Sequence, residues 1–493
     1  MIRLARNSFV LAVLVAATAN SLAHGEQQLR DVIDARVQEA WKREGIQPAG
    51  LSADGTFLRR IYLDLCGTIP TLDEARAFLD DDASDKREKL IDRLLSDPRY
   101  AQHQADVWDM VLFGRNPPGY DARTRGGFQK WLRDQFAENT SYNKMVHQLL
   151  KAEGDTVTNG APMYLVQYQR KPEDAAVAVA ENFLGVQLQC ARCHDHPFED
   201  WTQLDFYGMA AFFARLESVT VGKEDKLNKV ALGEKNLGDV LFTGPVTEDE
   251  VGKKGEPVKP KFLLGEKLPE PELPEDFKED RFAANKQPPS PKFSRKNALA
   301  DWVVRPDNPY LARAAANRVW AQFLGRGLVH PVDNLSPANE PSHPELLDSL
   351  AAELVKTGFD LKKYIRELCN SKTYQASHFG PSTEAAPLWY ERARVRPLSA
   401  EELAETWRVA TRYVAAQEKA GKKPKDGDRY FGMAAGYMLR FFGQPSNGVG
   451  DFQGGLHEHL YLNNGQVGGL ISTSEGGLHH ALLNSKEPWE VRV

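Results

Sequence analysis

Apolar residues recur at helical spacing from residue 29 to about residue 215. In the segment TLDEARAFL, Thr71 is followed three residues later by Glu74, a pattern that predicts a capping box and a helix after it. The segment SDKREKLIDRLLSD predicts another helix, with Ser84 as its N-cap. Four apolar residues of this segment share one helical face, namely Leu90, Ile91, Leu94 and Leu95. The periodicity therefore predicts packing helices with one buried side.

Prolines and glycines suggest where further helices begin and end. Pro98 is expected in the first turn of a helix, and another helix is expected to run from Pro172 to a stop at Gly185. A short apolar link follows Gly185, and an aromatic helical run begins near Trp201. The intervening stretch CARCHDHPFEDW therefore lies between two predicted helices.

The pattern changes between Ser218 and Arg295, where Pro, Gly, Lys and Glu cluster around short β-prone pieces. We expect a small β-hairpin here, ending in a Pro-rich linker, with disorder as the alternative for the second half. Helical periodicity then returns, and Ser342 is expected to cap a helix with Pro344 in its first turn.

These patterns predict a mainly α fold, with two helical domains joined by a small β-containing, Pro-rich segment. The predicted boundaries are 27–217 for the N-terminal helical domain, 218–295 for the connecting segment and 296–493 for the C-terminal helical domain. A chain of 493 residues with 42% hydrophobic residues is long and apolar enough to form such packed domains.

The first residues have the pattern of a secretory signal peptide. Arg3 and Arg6 precede an apolar run, and small residues suited to cleavage follow it, which predicts a signal peptide over 1–23. An uncleaved N-terminal anchor is the alternative. No later stretch is long and apolar enough to cross a bilayer, so we expect a periplasmic or extracellular protein with no membrane span after cleavage. The formal charge of -6 does not predict a basic surface for binding nucleic acid.

The stretch CARCHDHPFEDW contains the candidate cofactor-binding residues. The chain has only 4 cysteines, and Cys190, Cys193 and His194 form a C-x-x-C-H motif, the spacing of covalent c-type haem attachment. In that interpretation the two cysteines form thioethers and His194 is the proximal iron ligand. The opposite axial ligand is not identifiable, although the sequence offers four candidates, which are Met163, Met209, His103 and His147.

Two alternatives remain open for these cysteines. They could bind zinc or another metal together with His194 or His196 and a distant donor, for which His457 and His459 are the best candidates. They could also form a local disulfide, with the His-Asp-His-Pro segment as a polar turn that caps the following helix.

Two neighbouring residues are predicted to support the motif. Asp195 is expected to accept a proton from the imidazole of His194 or His196 and so to fix its tautomer. Trp201 and Phe198 are expected to enter the helical core, while Pro197 fixes the turn.

The remaining candidates are less specific. Cys66 and Cys369 lie in apolar helical surroundings and are predicted to be buried free thiols. Two Arg and Asp pairs could bind an anionic or sugar ligand, although salt bridges are the commoner outcome; they are Arg305 with Asp307 and Arg326 with Asp333. No nucleotide-binding or nucleophile-elbow motif is present, so no catalytic residue is predicted.

Several long motifs resemble the planctomycete secreted cytochrome-like proteins, a family with paired N-terminal and C-terminal domains of unknown function. In the N-terminal half the resemblance rests on FLRRIYLDLCGTIPT, KREKLIDRLLSDPRY and FLGVQLQCARCHDHPFEDWTQLDFYGMAAFFAR. In the C-terminal half it rests on ALADWVVRPDNPYLARAAANRVWAQFLGRGLV, PSHPELLDSLAAEL and CNSKTYQAS. The resemblance implies a secreted cytochrome-like protein. If the motif holds haem, electron transfer with a secreted oxidoreductase or another periplasmic partner is the expected role; otherwise a non-redox binding or structural protein is expected.

The chain departs from this family at two points. Relatives often carry a separate N-terminal cytochrome domain, whereas no C-x-x-C-H precedes Cys190 here. Relatives also commonly carry Cys-x-Cys near the end of the second domain, where this chain has Gly448 and Gly450. A shared cluster of four cysteines is therefore excluded.

Overall fold

The chain is mainly helical, as its hydrophobic pattern predicts. The computed structural model describes residues 27–114, 126–197, 199–224, 227–244, 254–263, 265–381, 386–422, 460, 474–486 and 488. The helices of the first half are α1 (Leu29–Glu44), α2 (Asp54–Cys66), α3 (Leu72–Leu79), α4 (Lys86–Leu95), α5 (Pro98–Phe113), α6 (Gly126–Ala137), α7 (Tyr142–Lys151), α8 (Met163–Val166), α9 (Pro172–Val179) and α10 (Gln203–Ala210).

Local capping signals account for several of these boundaries. The Thr71 hydroxyl accepts from the Glu74 N–H and the Glu74 carboxylate accepts from the Thr71 N–H, so the predicted capping box is confirmed. Pro98 occupies the first turn of α5, also as predicted. The predicted cap at Ser84 is wrong: Ala83 to Lys86 form a turn closed by the Lys86 N–H, and Asp85 is the N-cap. The predicted apolar face of α4 is nevertheless buried.

Two small antiparallel sheets follow the first half. In the larger one, β2 (Leu216–Glu224) pairs with β3 (Leu227–Glu234), and β1 (Gly154–Asp155) pairs with the other edge of β3. In the smaller one, β4 (Val240–Leu241) pairs with β5 (Pro257–Val258). The expected hairpin is present, but its longer strands lie at 216–234, ahead of the β-prone pieces that predicted it.

The second half returns to helices. They are α11 (Arg295–Val303), α12 (Leu311–Leu324), α13 (Pro344–Lys356), α14 (Leu361–Asn370), α15 (Lys372–Gln375), α16 (Ala400–Ala410), α17 (Tyr413–Lys419) and α18 (Leu478–Asn484). The predicted cap at Ser342 is wrong, because the His343 carbonyl accepts the first helical hydrogen bond, from Leu347, and His343 is the N-cap. The Ser342 hydroxyl instead contacts His343 Nδ1 at 2.9 Å.

One continuous cluster of buried apolar side chains extends from α1 to residue 390 and includes helices of both halves. Helices α13 and α14 pack against α1, which places the two halves in direct contact. Polar contacts reinforce this junction: Arg30 binds Glu367 at 3.0 Å, and the Asp34 carboxylate accepts from the Lys372 and Thr373 N–H groups, each at 2.9 Å. The domain boundaries stay a prediction.

Among the described residues, no helix combines the length and the apolar character needed to cross a bilayer. The predicted signal peptide, residues 1–23, lies outside the described residues.

Candidate functional site

The helix that leads to the C-x-x-C-H motif ends at a glycine, as predicted. Helix α9 continues as a π-helical turn (Ala180–Leu184) and stops at Gly185, whose φ of 68° lies in the left-handed region. A Cβ at Gly185 would lie 2.7 Å from Leu335 Cδ1, so the second half of the chain packs directly on this backbone. Only glycine meets both demands without strain.

Cys190 lies within a short 3₁₀ turn (Gln189–Arg192), and Cys193 directly follows it. Ala191, inside the turn, is fully buried, whereas Cys190 and Cys193 are both exposed and unpaired. The Cys193 N–H donates to the Cys190 carbonyl at 3.5 Å. Buried Ala191 therefore anchors the turn while both thiols face solvent.

His194 and His196 have different surroundings. His194 is exposed, and its Nδ1 lies 2.6 Å from the carbonyl oxygen of Asp195. His196 is partly buried, and its backbone N–H donates to the Trp201 carbonyl at 2.8 Å. When Nδ1 of His194 is the protonated nitrogen, it donates to that carbonyl and Nε2 carries the lone pair.

The Asp195 carboxylate points toward the following helix. Its Oδ1 accepts from the backbone N–H of Gln203, the first residue of α10, at 2.9 Å. The sequence predicted a carboxylate partner for an imidazole, whereas His194 contacts the carbonyl of Asp195. A contact between this carboxylate and an imidazole stays a prediction.

Trp201 joins the motif to helix α10. Its ring is partly buried against the core, and its Nε1 donates to Glu199 Oε2 at 2.7 Å. The next residue, Thr202, forms a capping box with Asp205, which the sequence analysis missed although the Thr-x-x-Asp spacing was visible. A supporting role of Trp201 toward a bound group stays a prediction, and Phe198 lies outside the described residues.

Two family models match the chain. Residues 32–218 match PSCyt2, described as a protein of unknown function (DUF1549), and residues 295–430 match PSD1, described as a protein of unknown function (DUF1553). The chain contains both of these domains. The predicted pairing of an N-terminal and a C-terminal domain of unknown function is thereby confirmed. No curated protein and no solved structure matches the chain.

The DUF1549 domain includes the whole C-x-x-C-H motif. Its described residues contain no preformed group of metal ligands. Across the described part of the chain, no three or more His, Cys, Asp or Glu side chains are grouped so that they could hold a metal ion. The zinc alternative therefore finds no support there, and its distant donors, His457 and His459, lie outside the described residues.

The four candidates for an axial ligand have other surroundings. Met163, Met209 and His103 are buried in the protein interior. His147 lies with its Nε2 2.6 Å from Asp301 Oδ1. His103 Nε2 lies 3.9 Å from Glu402 Oε1. Neither this contact nor that of His147 involves the motif.

A partly buried acid, Glu181, lies ahead of the motif. Burial raises the pKa of Glu181, in the π-helical turn, to about 7, and the charge of Asp333 acts in the same direction, whereas Arg318 opposes both. Asp333 itself accepts from Gln187 Nε2 at 3.1 Å, so this acid from the DUF1553 domain contacts the link that leads to Cys190.

The other sequence candidates have structural roles. Arg305 and Asp307 form an exposed salt bridge at 2.8 Å, which is the commoner outcome for such pairs. Cys66 and Cys369 are buried free thiols, as predicted, and burial raises the pKa of both.

Proposed function

We propose that this chain is an exported protein that carries haem c covalently on Cys190 and Cys193 and takes part in electron transfer. The supporting observation is the position of His194 beside the Asp195 carbonyl, at 2.6 Å from Nδ1. Histidines that bind a metal almost always donate their other ring nitrogen to a carbonyl or carboxylate, which leaves Nε2 for the metal. This is the arrangement a proximal haem ligand needs.

The exposure of the motif also fits this group. Both thiols and His194 face solvent, so a macrocycle can be attached without opening the buried core. The lack of a three-residue metal cluster among the described residues does not bear on haem, because the cysteine sulfurs bond to the porphyrin and only the histidine binds iron. Bound haem would supply one-electron redox chemistry, and Ala191 and Asp195 would hold the attachment residues in place.

The proposed location and partner follow from the same chemistry. Residues 1–23 would direct the chain to the periplasm or the cell exterior. There the natural electron donor or acceptor would be a secreted oxidoreductase or another periplasmic protein.

A local disulfide is the second candidate, and it has its own support. The Asp195 carboxylate accepts from the first N–H of α10, and the His196 N–H donates to the Trp201 carbonyl, so the turn holds its shape through protein contacts alone. Two exposed thiols three residues apart would oxidise readily outside the cytoplasm. In that case the chain would be a binding or structural protein without a redox cofactor.

The deciding experiment produces the full chain in a host with a cytochrome maturation system. We expect a Soret band that survives denaturation with the wild type and with Arg192→Ala, a control that leaves C-x-x-C-H intact, and no covalent haem with Cys193→Ala. An apoprotein from a host that matures a control cytochrome would overturn the proposal. Zinc at about one equivalent would favour the metal alternative, and thiols that react only after reduction would favour the disulfide.

A further inference from the structure

A cavity of about 410 Å³ lies between helix α2 and the segment from Ala393 to Leu398. It therefore brings together residues of the DUF1549 and DUF1553 domains. Its size falls within the usual range of small-molecule sites. Part of its lining is apolar, from residues such as Leu63, Phe323 and Leu398.

The charged lining of this cavity is mostly basic. It consists of Arg59, Arg60, Asp64, Arg394 and Arg396, which is four positive charges against one negative, or +3. Glu402, which pairs with Arg396 but does not line the cavity, lowers the local sum to +2. The chain as a whole carries a formal charge of -6, so the cavity stands out as a positive site that attracts anions.

The two carboxylates at this site, those of Asp64 and Glu402, already accept hydrogen bonds from protein donors. Arg396 Nη2 lies 2.9 Å from Asp64 Oδ1 and 2.7 Å from Glu402 Oε1, and its Nη1 donates to Glu402 Oε2 at 2.8 Å. The other oxygen of Asp64 accepts from the Tyr374 hydroxyl at 2.8 Å. Neither carboxylate hydrogen-bonds to Arg60.

Arg60 is only partly hydrogen-bonded. Its Nη1 donates to the Ala376 carbonyl at 2.9 Å, and its guanidinium lies 4.8 Å from the centre of the Tyr374 ring. Its Nε and Nη2 are buried and find no hydrogen-bond partner among the described residues. Buried polar groups are nearly always paired, and unpaired charged donors are costly. Nε and Nη2 form one edge of the guanidinium fork, which matches two oxygens of an oxyanion.

We propose that this cavity binds a small organic anion, whose carboxylate, sulfate or phosphate group pairs with the Nε and Nη2 edge of Arg60. The uncharged body of the ligand lies against the apolar part of the lining. Arg59, exposed beside the cavity, adds long-range attraction. Arg60 lines the cavity, but its Nε and Nη2 lie below the accessible surface, so the proposed pairing requires the guanidinium to turn toward the bound anion.

Calorimetric titration of the full chain at low ionic strength tests this proposal. The anionic probes are phenyl phosphate, benzoate, inorganic phosphate and sulfate, and benzylamine is the cationic counterpart. We expect at least one organic anion to bind, and Arg60→Gln to weaken its binding about tenfold, equivalent to about 1.4 kcal/mol. Arg133→Gln, an exposed arginine on α6 away from the cavity, should bind like the wild type.

Further variants keep the test decisive. Arg60→Lys retains the charge but cannot offer two N–H groups from one planar edge, so it should also weaken binding. Arg59→Gln alters only an exposed side chain and should weaken binding modestly at low salt, with less effect at high salt. Binding of benzylamine as tight as that of the anions, no heat with any anion, or unchanged affinity in folded Arg60 variants would overturn the proposal. The titration does not depend on haem, so its outcome is separate from that of the proposed function.

Discussion

The carboxylate of Asp195 accepts a hydrogen bond from the backbone N–H of Gln203, eight residues further along the chain, at 2.9 Å. This contact ties the segment after Cys193 to the start of helix α10, where backbone N–H groups lack partners within the helix. The backbone pairing of His196 with Trp201 at 2.8 Å adds a second tie. The motif is thus held by local protein contacts before any group is attached to it.

The first prediction tests this tie. Asp195→Ala should lower the free energy of unfolding by about 1 kcal/mol, since a helix N-terminal N–H loses its acceptor. Asp195→Asn keeps an oxygen acceptor and should cost less. Urea unfolding measures both, with exposed Asp200→Ala as the control. Equal stability of Asp195→Ala and the control would contradict the capping role.

The second prediction concerns the thiols of reduced protein made without haem. Cys190 and Cys193 are exposed, whereas Cys66 and Cys369 are buried. Burial raises the pKa of Cys66 to about 12 and that of Cys369 well above its usual range, so neither forms the reactive thiolate. A thiol-reactive chromophore should therefore label the two exposed cysteines in native protein and all 4 cysteines after denaturation.

The matched control for this labelling is the double variant Cys190→Ser and Cys193→Ser, which should give no rapid native labelling. Rapid reaction of Cys66 or Cys369 in that variant would mean that the core around them opens readily.

Local signals explain which parts of the fold the sequence predicts. The capping box of Thr71 and Glu74 spans three residues, so its partners are visible in the sequence. The caps predicted at Ser84 and Ser342 failed because the first helical hydrogen bond is accepted by the next residue, Asp85 or His343. A good capping side chain marks the region of a helix start but does not decide which residue occupies it.

Long-range contacts explain what the sequence does not predict. Arg60 and Arg396 are 336 positions apart, and only the packing of the two halves brings both to one cavity. In the sequence, Arg60 belongs to an ordinary helical stretch, and its unpaired Nε and Nη2 are visible only once its surroundings are known. The C-x-x-C-H motif is the opposite case, because its chemistry is carried by adjacent residues.

The third prediction concerns Arg295, whose side chain is fully buried at the start of α11. Its Nε and Nη2 each contact Glu270 at 2.8 Å, and Nη2 also contacts Asp239 at 2.8 Å. Its Nη1 also donates to the carbonyls of Ala211 and Gly238. Arg295→Met should destabilise the protein by about 1–3 kcal/mol, since it removes all the hydrogen bonds of a fully buried guanidinium.

Chemical denaturation measures this loss. The control is Arg305→Met, which removes the exposed pair with Asp307 and should cost less than about 1 kcal/mol. Similar losses in the two variants would show that burial of the Arg295 network contributes little to the free energy of unfolding.

The last prediction is a pH dependence that originates at Glu181. Burial, together with the charge of Asp333, raises the pKa of Glu181 to about 7 from its ordinary value of 4.5. Between these pH values the folded protein retains a proton that the unfolded chain releases, so this residue lowers stability as pH rises from about 4.5 to about 7. In Glu181→Gln that loss is absent. The free energy of unfolding of the variant, relative to the wild type, should therefore rise from pH 5 to pH 7 and then level off, whereas exposed Glu138→Gln should show no such rise. Parallel pH profiles for the wild type and Glu181→Gln would contradict the raised pKa.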